Sequence, residues 1–145
     1  MAHPDWDALL NVLLPFAKQM LEEHGEFHPF GASMHADGQI EMIGAQQEGE
    51  EFPNAQDLIA TLESSLYEEA EQGTIRASGI CVDVRVVPPG STEKTDAVQT
   101  SLEHREAKAV NMFLPYTKDS SKRIHYGETF AFASNPNIFI PRILR

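Results

Sequence analysis

Six histidines and a single cysteine are the residues of this 145-residue chain best suited to metal binding or nucleophilic catalysis. The histidines are His3, His24, His28, His35, His104 and His125. None of them falls into an HxH, HExxH or Cys-x-x-Cys pattern, in which local spacing brings two metal ligands together. His24 and His28 straddle a predicted helix end and could approach one another. The default interpretation is structural or surface histidines, so the sequence predicts neither a metal site nor a bound cofactor.

Cys81 would act as a nucleophile only if a histidine and an acid converged on it. Asp83 shares its face of a predicted strand, and Arg85 lies beyond it. A lone cysteine on a strand is more often a small packing residue, which is the role we expect. Because the chain has no second cysteine, no intramolecular disulfide can form.

The triplet Glu103-His104-Arg105 has the composition of an acid–base cluster. On a strand, however, Glu103 and Arg105 point to one face and His104 to the other. General acid–base catalysis by the three together is therefore geometrically awkward, and a solvated strand end is the preferred interpretation. These patterns favour a protein that is not an enzyme, without deciding the matter.

The composition is that of a folded cytoplasmic protein. Apolar residues make up 41% of the chain and charged residues 23%, which predicts a single domain over residues 1–145. No apolar run approaches the roughly 18–20 residues that span a bilayer. The N-terminal stretch carries acids where a secretory signal would carry basic residues.

Charge is distributed unevenly along the chain. The formal net charge is −11, and residues 1–73 hold fifteen acidic side chains against one base, Lys18. Residues 74–145 hold seven acids and ten bases. This balance disfavours nucleic acid or an anionic membrane as a partner, and the field of the first half could steer a basic partner toward it. Mutual attraction between the two halves is the alternative explanation.

Two amphipathic helices are predicted. Apolar residues recur at helical spacing over residues 4–24, and Gly25 is a natural helix end. Pro15 inside this pattern predicts a kink or a helix in two pieces. Asn54 is the predicted N-cap of the second helix, and Gly73 ends it.

A hairpin is predicted between the helices, with Asp-Gly at its turn. A three-residue loop over 36–38 pairs Met34 with Ile40 and Ala32 with Met42, which gathers these apolar side chains on one face. A two-residue loop would mix the faces, so the three-residue loop is preferred.

The stretch from Gly79 to Tyr116 predicts three consecutive strands in which apolar and polar side chains alternate. The apolar side includes Ile80, Val82, Val84, Val86, Val98, Leu102, Val110, Met112 and Leu114. The other side, here called the predicted polar face, consists of Asp83, Arg85, Gln99, Glu103, Arg105, Asn111 and Phe113. The faces stay segregated only if the turn near Glu106 has an odd number of residues. This polar face is predicted to be an interaction surface, although antiparallel sheets commonly leave one face to water.

The element order predicts the fold class. It reads helix, two strands, helix, three strands, and a possible edge strand near 124–134 interrupted at Gly127. With both helices covering the apolar face, this is a two-layer α+β sandwich around an antiparallel sheet. The order is similar to that of profilin-like and roadblock-type domains, a likeness of topology alone.

Several segments resemble a family of small bacterial proteins of unassigned function. They are FHPFGASM at 27–34, GICVDVRVVPPG at 79–90, SLEHR, and FLPY at 113–116. The resemblance implies no activity and no functional residues. A broader likeness connects small acidic α+β proteins of this kind with the immunity proteins of toxin systems.

Two functions follow as hypotheses. The first is a non-enzymatic binding protein that contacts another protein or a second copy of itself, in the manner of an immunity protein. The second is a small-molecule sensor or enzyme with a pocket between sheet and helices, lined by His28, His35, Met34 and Tyr126 and covered by the 88–96 loop.

Overall fold

The computed structural model describes residues 3–44, 54–106 and 108–140. Across these ranges the chain forms two helices, α1 (Pro4–His24) and α2 (Ala55–Glu71). The strands are β1 (Phe30–His35), β2 (Ile40–Gly44), β3 (Ile75–Val86), β4 (Thr95–His104), β5 (Lys108–Lys118), β6 (Ile124–Tyr126) and β7 (Phe130–Ala133). None of the described helices is both long enough and apolar enough to cross a membrane.

The strands form one antiparallel sheet in the order β2-β1-β3-β4-β5-β6. The short strand β7 also pairs with β5, beside β6 on the same edge. The predicted α+β class, antiparallel sheet and element order are confirmed. The expected final strand is present as two pieces, separated near Gly127, whose N–H donates to the carbonyl of Pro115.

The two helices lie on opposite faces of the sheet. Leu13 of α1 belongs to a buried cluster that includes Cys81 of β3, whereas Leu66 of α2 belongs to a second cluster that includes Ile80. Neighbouring residues of a strand point to opposite faces, so one helix covers each face. The prediction that both helices share a face is therefore wrong, and the sheet is the middle of three layers.

Small residues on β3 allow α1 to approach the sheet. Its α1-facing positions include Ala77, Gly79 and Cys81, all fully or nearly fully buried. A Cβ at Gly79 would lie 2.6 Å from Cδ1 of Leu13, too close for two carbon atoms. The valines and isoleucines of β3 mark the opposite face, which α2 partly covers.

Local turn and cap chemistry agrees with the sequence. Gly38 has φ 97° in the three-residue loop, and Met34 pairs with Ile40 as predicted. Asn54 caps α2, since its Oδ1 accepts the N–H of Gln56 at 2.8 Å.

α1 begins after His3 and is one continuous helix through Pro15. Of the two predicted outcomes, a kink or a helix in two pieces, the second does not occur. It ends at Gly25, which has φ 79°. At the other hairpin, His104 of β4 pairs with Lys108 of β5, which confirms the odd turn length.

Candidate functional site

The residues of the predicted polar face do not share one surface. The register pairs Asp83 with Val98 and Arg85 with Asp96, which places both residues on the α1 side of the sheet. Four residues lie on the α2 side: Gln99, Glu103, Asn111 and Phe113. Arg105 is exposed in the turn after β4. The prediction of a single face is wrong because residues paired across β3 and β4 have opposite parity.

Asp83 and Arg85 have local structural partners. The hydroxyl of Tyr116 donates to Asp83 Oδ1 at 2.6 Å. Burial raises the pKa of Asp83, and this hydrogen bond only partly offsets it. Arg85 is 68% exposed and lies 3.8 Å from the carboxylate of Asp96, a contact of little energetic weight.

A cleft of about 310 Å³ lies on the α2 side of the sheet. Side chains of β3, β4 and β5 that point to the α2 side form its floor. One wall is α2, which contributes Gln56, Ile59 and Glu63, and the other is the segment 134–138 that follows β7. Gln99, Glu103 and Asn111, all members of the predicted polar face, line this cleft. Their face is thus concave and partly covered.

Hydrogen bonds order the polar floor of the cleft. Gln99 Nε2 donates to Ser101 Oγ at 3.3 Å, and Ser101 Oγ donates to Asn111 Oδ1 at 2.7 Å. These two hydrogen bonds use one polar atom of each amide side chain. The Gln99 carbonyl oxygen and the Asn111 amide nitrogen have no partner among the described residues, so both are available to a ligand.

Glu103 holds the second wall in place. Its Oε1 accepts the backbone N–H groups of Ile138 and Phe139 at 2.9 and 3.2 Å, and its Oε2 accepts that of Asn137 at 2.9 Å. Glu103 is 6% exposed and Ile138 2% exposed, so these charge-assisted bonds lie largely out of water. The carboxylate therefore positions the cleft wall, a role that strand alternation alone does not predict.

The cleft is polar and carries negative charge. Among its described lining residues the ionisable side chains are Glu63 and Glu103, with no lysine, arginine, histidine, aspartate or cysteine. Asn137 Nδ2 donates to Glu63 Oε2 at 3.4 Å. Such a lining can donate and accept hydrogen bonds and attract a cation, and it disfavours an anionic ligand.

An aromatic cluster of Phe113, Phe130 and Phe132 adjoins the cleft. Phe113 and Phe130 stack with their ring centroids 5.0 Å apart, and Phe132 meets Phe130 edge-on at 5.8 Å. Phe132 pairs with Asn111 across β5 and β7, so the cluster borders the cleft floor. Phe132 is 54% exposed and offers an apolar contact surface beside a polar cleft.

The lining predicted for a small-molecule pocket lies elsewhere. Met34 is buried in the core under α1, while Tyr126 donates to Glu22 at 3.1 Å on that same side. His28 and His35 do not line the cleft, and neither does the 88–96 loop. A cleft between sheet and helix exists, but its residues are different from the predicted ones.

Cys81 is fully buried, and its Sγ lies 3.3 Å from Thr100 Oγ1. This burial confirms the packing role that the sequence predicts. It also raises the pKa of the thiol to about 12.

Comparison with known proteins finds no matching family model, no matching curated protein and no matching solved structure. The likeness to small bacterial proteins and the topological analogy stay predictions, and function is inferred from the geometry of the cleft.

Proposed function

We propose that this is a non-enzymatic binding protein that takes a basic side chain of a partner protein into the cleft. The observation that carries the proposal is the lining itself. Glu63 and Glu103 give it negative charge, the carbonyl oxygen of Gln99 is an unpaired acceptor, and none of its described residues is basic. A guanidinium or ammonium group entering there would meet Glu63 and the free carbonyl oxygen of Gln99.

Long-range charge favours the same class of partner. Residues 1–73, which include α2 and Glu63, carry fifteen acids and one base. Such a field raises the encounter rate of a basic partner and repels an acidic one. The partner is another protein or a second copy of this chain, whose residues 74–145 hold ten bases against seven acids.

The aromatic cluster supports a protein partner over an isolated cation. Binding energy in protein interfaces is concentrated in aromatic and arginine contacts next to pockets that exclude water. Phe132 supplies exposed aromatic surface at the rim of the cleft. A partner could therefore insert a basic side chain and cover the phenylalanines with neighbouring apolar groups.

Single-residue probes test this proposal by NMR. N-acetylarginine methylamide and N-acetylglutamate methylamide differ mainly in the charge that they would carry into the cleft. We expect the arginine probe to bind with a dissociation constant of about 1 mM, given the modest energy available per ligand atom. Its shifts should map to Gln99, Ser101 and Asn111, and the glutamate probe should cause none there. Equal binding of both probes, or shifts confined to other surfaces, would overturn the proposal.

A small polar molecule is the second candidate ligand. The volume of about 310 Å³ is at the lower end of the range typical of small-molecule sites. Native mass spectrometry of protein purified from its own host would detect a retained ligand as a fixed added mass. Ser101→Leu fills the cleft and should abolish the added mass, whereas Ser65→Leu, on the outer surface of α2, should keep it. This pair of results would favour the small-molecule candidate.

A further inference from the structure

The start of α1 meets the turn between β4 and β5 in a cluster of two histidines and a glutamate. The rings of His3 and His104 have centroids 4.2 Å apart. Glu106 Oε1 lies 3.3 Å from Nε2 of His3 and 3.7 Å from Nδ1 of His104. One donor atom from each of the three residues lies within 4.8 Å of the other two. The cluster is on the α1 side of the sheet, on the opposite face from the cleft.

We propose that this cluster binds Zn²⁺ through His3 Nε2, His104 Nδ1 and Glu106 Oε1, with a fourth position open to solvent. Ligand atoms of a tetrahedral zinc with bonds of about 2.0–2.1 Å lie roughly 3.3 Å apart. The distances from Glu106 Oε1 to His3 Nε2 and to His104 Nδ1, 3.3 and 3.7 Å, are close to that value. Two imidazoles with one carboxylate suit zinc, whereas calcium and magnesium prefer all-oxygen sets. His3 and Glu106 are 18% and 56% exposed at their side chains, so an ion can reach them from water.

Asp5 already orients His104 as a ligand. His104 Nε2 lies 2.8 Å from Asp5 Oδ2, and the backbone N–H of Glu106 points at His104 Nδ1 from 3.2 Å. The ring proton therefore sits on Nε2 and the lone pair on Nδ1, the nitrogen that lies 3.7 Å from Glu106 Oε1. Arg76 in turn donates to both Asp5 oxygens, at 3.0 and 3.1 Å. A carboxylate behind a ligating histidine is a recurrent feature of zinc sites.

Metal binding must replace three hydrogen bonds, one of which joins His3 Nε2 to Glu106 Oε1. The ion would replace the Glu106 N–H at His104 Nδ1. It would also move the His3 ring proton from Nε2 to Nδ1. Without the metal, Nδ1 accepts the N–H of Asp5 at 3.1 Å, and this bond would be lost. Both amides lie in only partly buried surroundings and can bond to water instead. The site is consequently expected to bind zinc reversibly, without the metal being required for folding.

Titration of the full chain, free of any affinity tag, tests the proposal. Isothermal calorimetry should give one Zn²⁺ per chain, and Co²⁺ should give the intense visible absorption of tetrahedral coordination. His3→Gln and Glu106→Gln should each weaken binding by about tenfold or more, since even outer-shell changes cost 10–100-fold. His24→Gln removes an exposed histidine at the far end of α1 and should leave binding unchanged.

Three results would overturn the zinc site: no uptake by the unaltered chain, unchanged affinity in both His3→Gln and Glu106→Gln, or loss of affinity in His24→Gln instead. Both ligand substitutions are at positions that are not fully buried, so each variant should fold. Circular dichroism verifies this. Binding of the arginine probe to the cleft is a separate measurement, and neither outcome decides the other.

Discussion

Glu103 should be the most sensitive acidic residue of the sheet, because one buried carboxylate holds the segment that closes the cleft. Glu103→Ala removes the acceptor for three backbone N–H groups, those of Asn137, Ile138 and Phe139. Hydrogen bonds to charged groups contribute about 1.5–3 kcal/mol each, but the three share one carboxylate and are not additive. We expect a loss of about 2–4 kcal/mol in the free energy of unfolding. Glu103→Gln keeps one carbonyl oxygen and should lose about 1–2 kcal/mol.

Urea denaturation measures the loss, and amide hydrogen exchange locates it. In the alanine variant the amides of residues 137–139 should lose protection, because the acceptor that holds them is gone. Glu128→Ala, at an exposed position between β6 and β7, is the matched control and should change stability by less than about 0.5 kcal/mol. If Glu103→Ala behaves like this control and protection at 137–139 persists, Glu103 does not hold the cleft wall.

Three further predictions concern the sheet. Arg85→Glu and Arg105→Glu, both at exposed positions, should shift stability by no more than about 0.5 kcal/mol in urea titrations, and a larger loss would mean that these side chains are packed. Gly79→Ala should cost about 1–3 kcal/mol in thermal unfolding because its new methyl group would lie 2.6 Å from a buried leucine of α1, whereas Gly44→Ala meets no atom within 4 Å and should be nearly neutral. The Cys81 thiol, with its pKa raised to about 12, should resist a thiol reagent in the folded protein and react on denaturation, and rapid labelling of the native state would contradict its burial.

Local chemistry made the turns and caps predictable from sequence. Gly38 in a three-residue loop fixed the register of β1 against β2, because each residue of slip would move the apolar set to the other face. Asn54 and Gly25 marked helix ends for similarly local reasons. Such features depend on a few adjacent residues and need no tertiary information.

The prediction of which β3 and β4 side chains share a face of the sheet was wrong because no short turn fixes the register of these two strands. The long link between β3 and β4 leaves the relative parity of the strands open, and the structure pairs Cys81 with Thr100. Valine and isoleucine at alternate positions of β3 indicate its α2 face. The α1 face is buried in the first part of β3 as well, but small residues such as Gly79 occupy it there and carry no hydrophobic signal.

The two candidate sites depend on contacts between distant parts of the chain. Glu103 meets the amides of residues 137–139, and His3 meets His104, in each case without any spacing in the sequence that would suggest it. The identity of the floor residues was partly predictable, since Gln99 and Asn111 were expected on a common polar surface. Their enclosure by α2 and by the segment after β7 was not.

Titration of the arginine probe into Glu63→Gln and Glu68→Gln tests the central claim most directly. Glu63 lines the cleft, whereas Glu68 lies exposed on the outer surface of the same helix. Each substitution removes one negative charge, so the two variants differ only in where the charge is lost. If the cleft takes a basic side chain, Glu63→Gln should weaken binding about tenfold, equivalent to about 1.4 kcal/mol, and Glu68→Gln should not. Equal weakening in both variants would reveal attraction to net charge alone, and no weakening in Glu63→Gln would place the basic group outside the cleft.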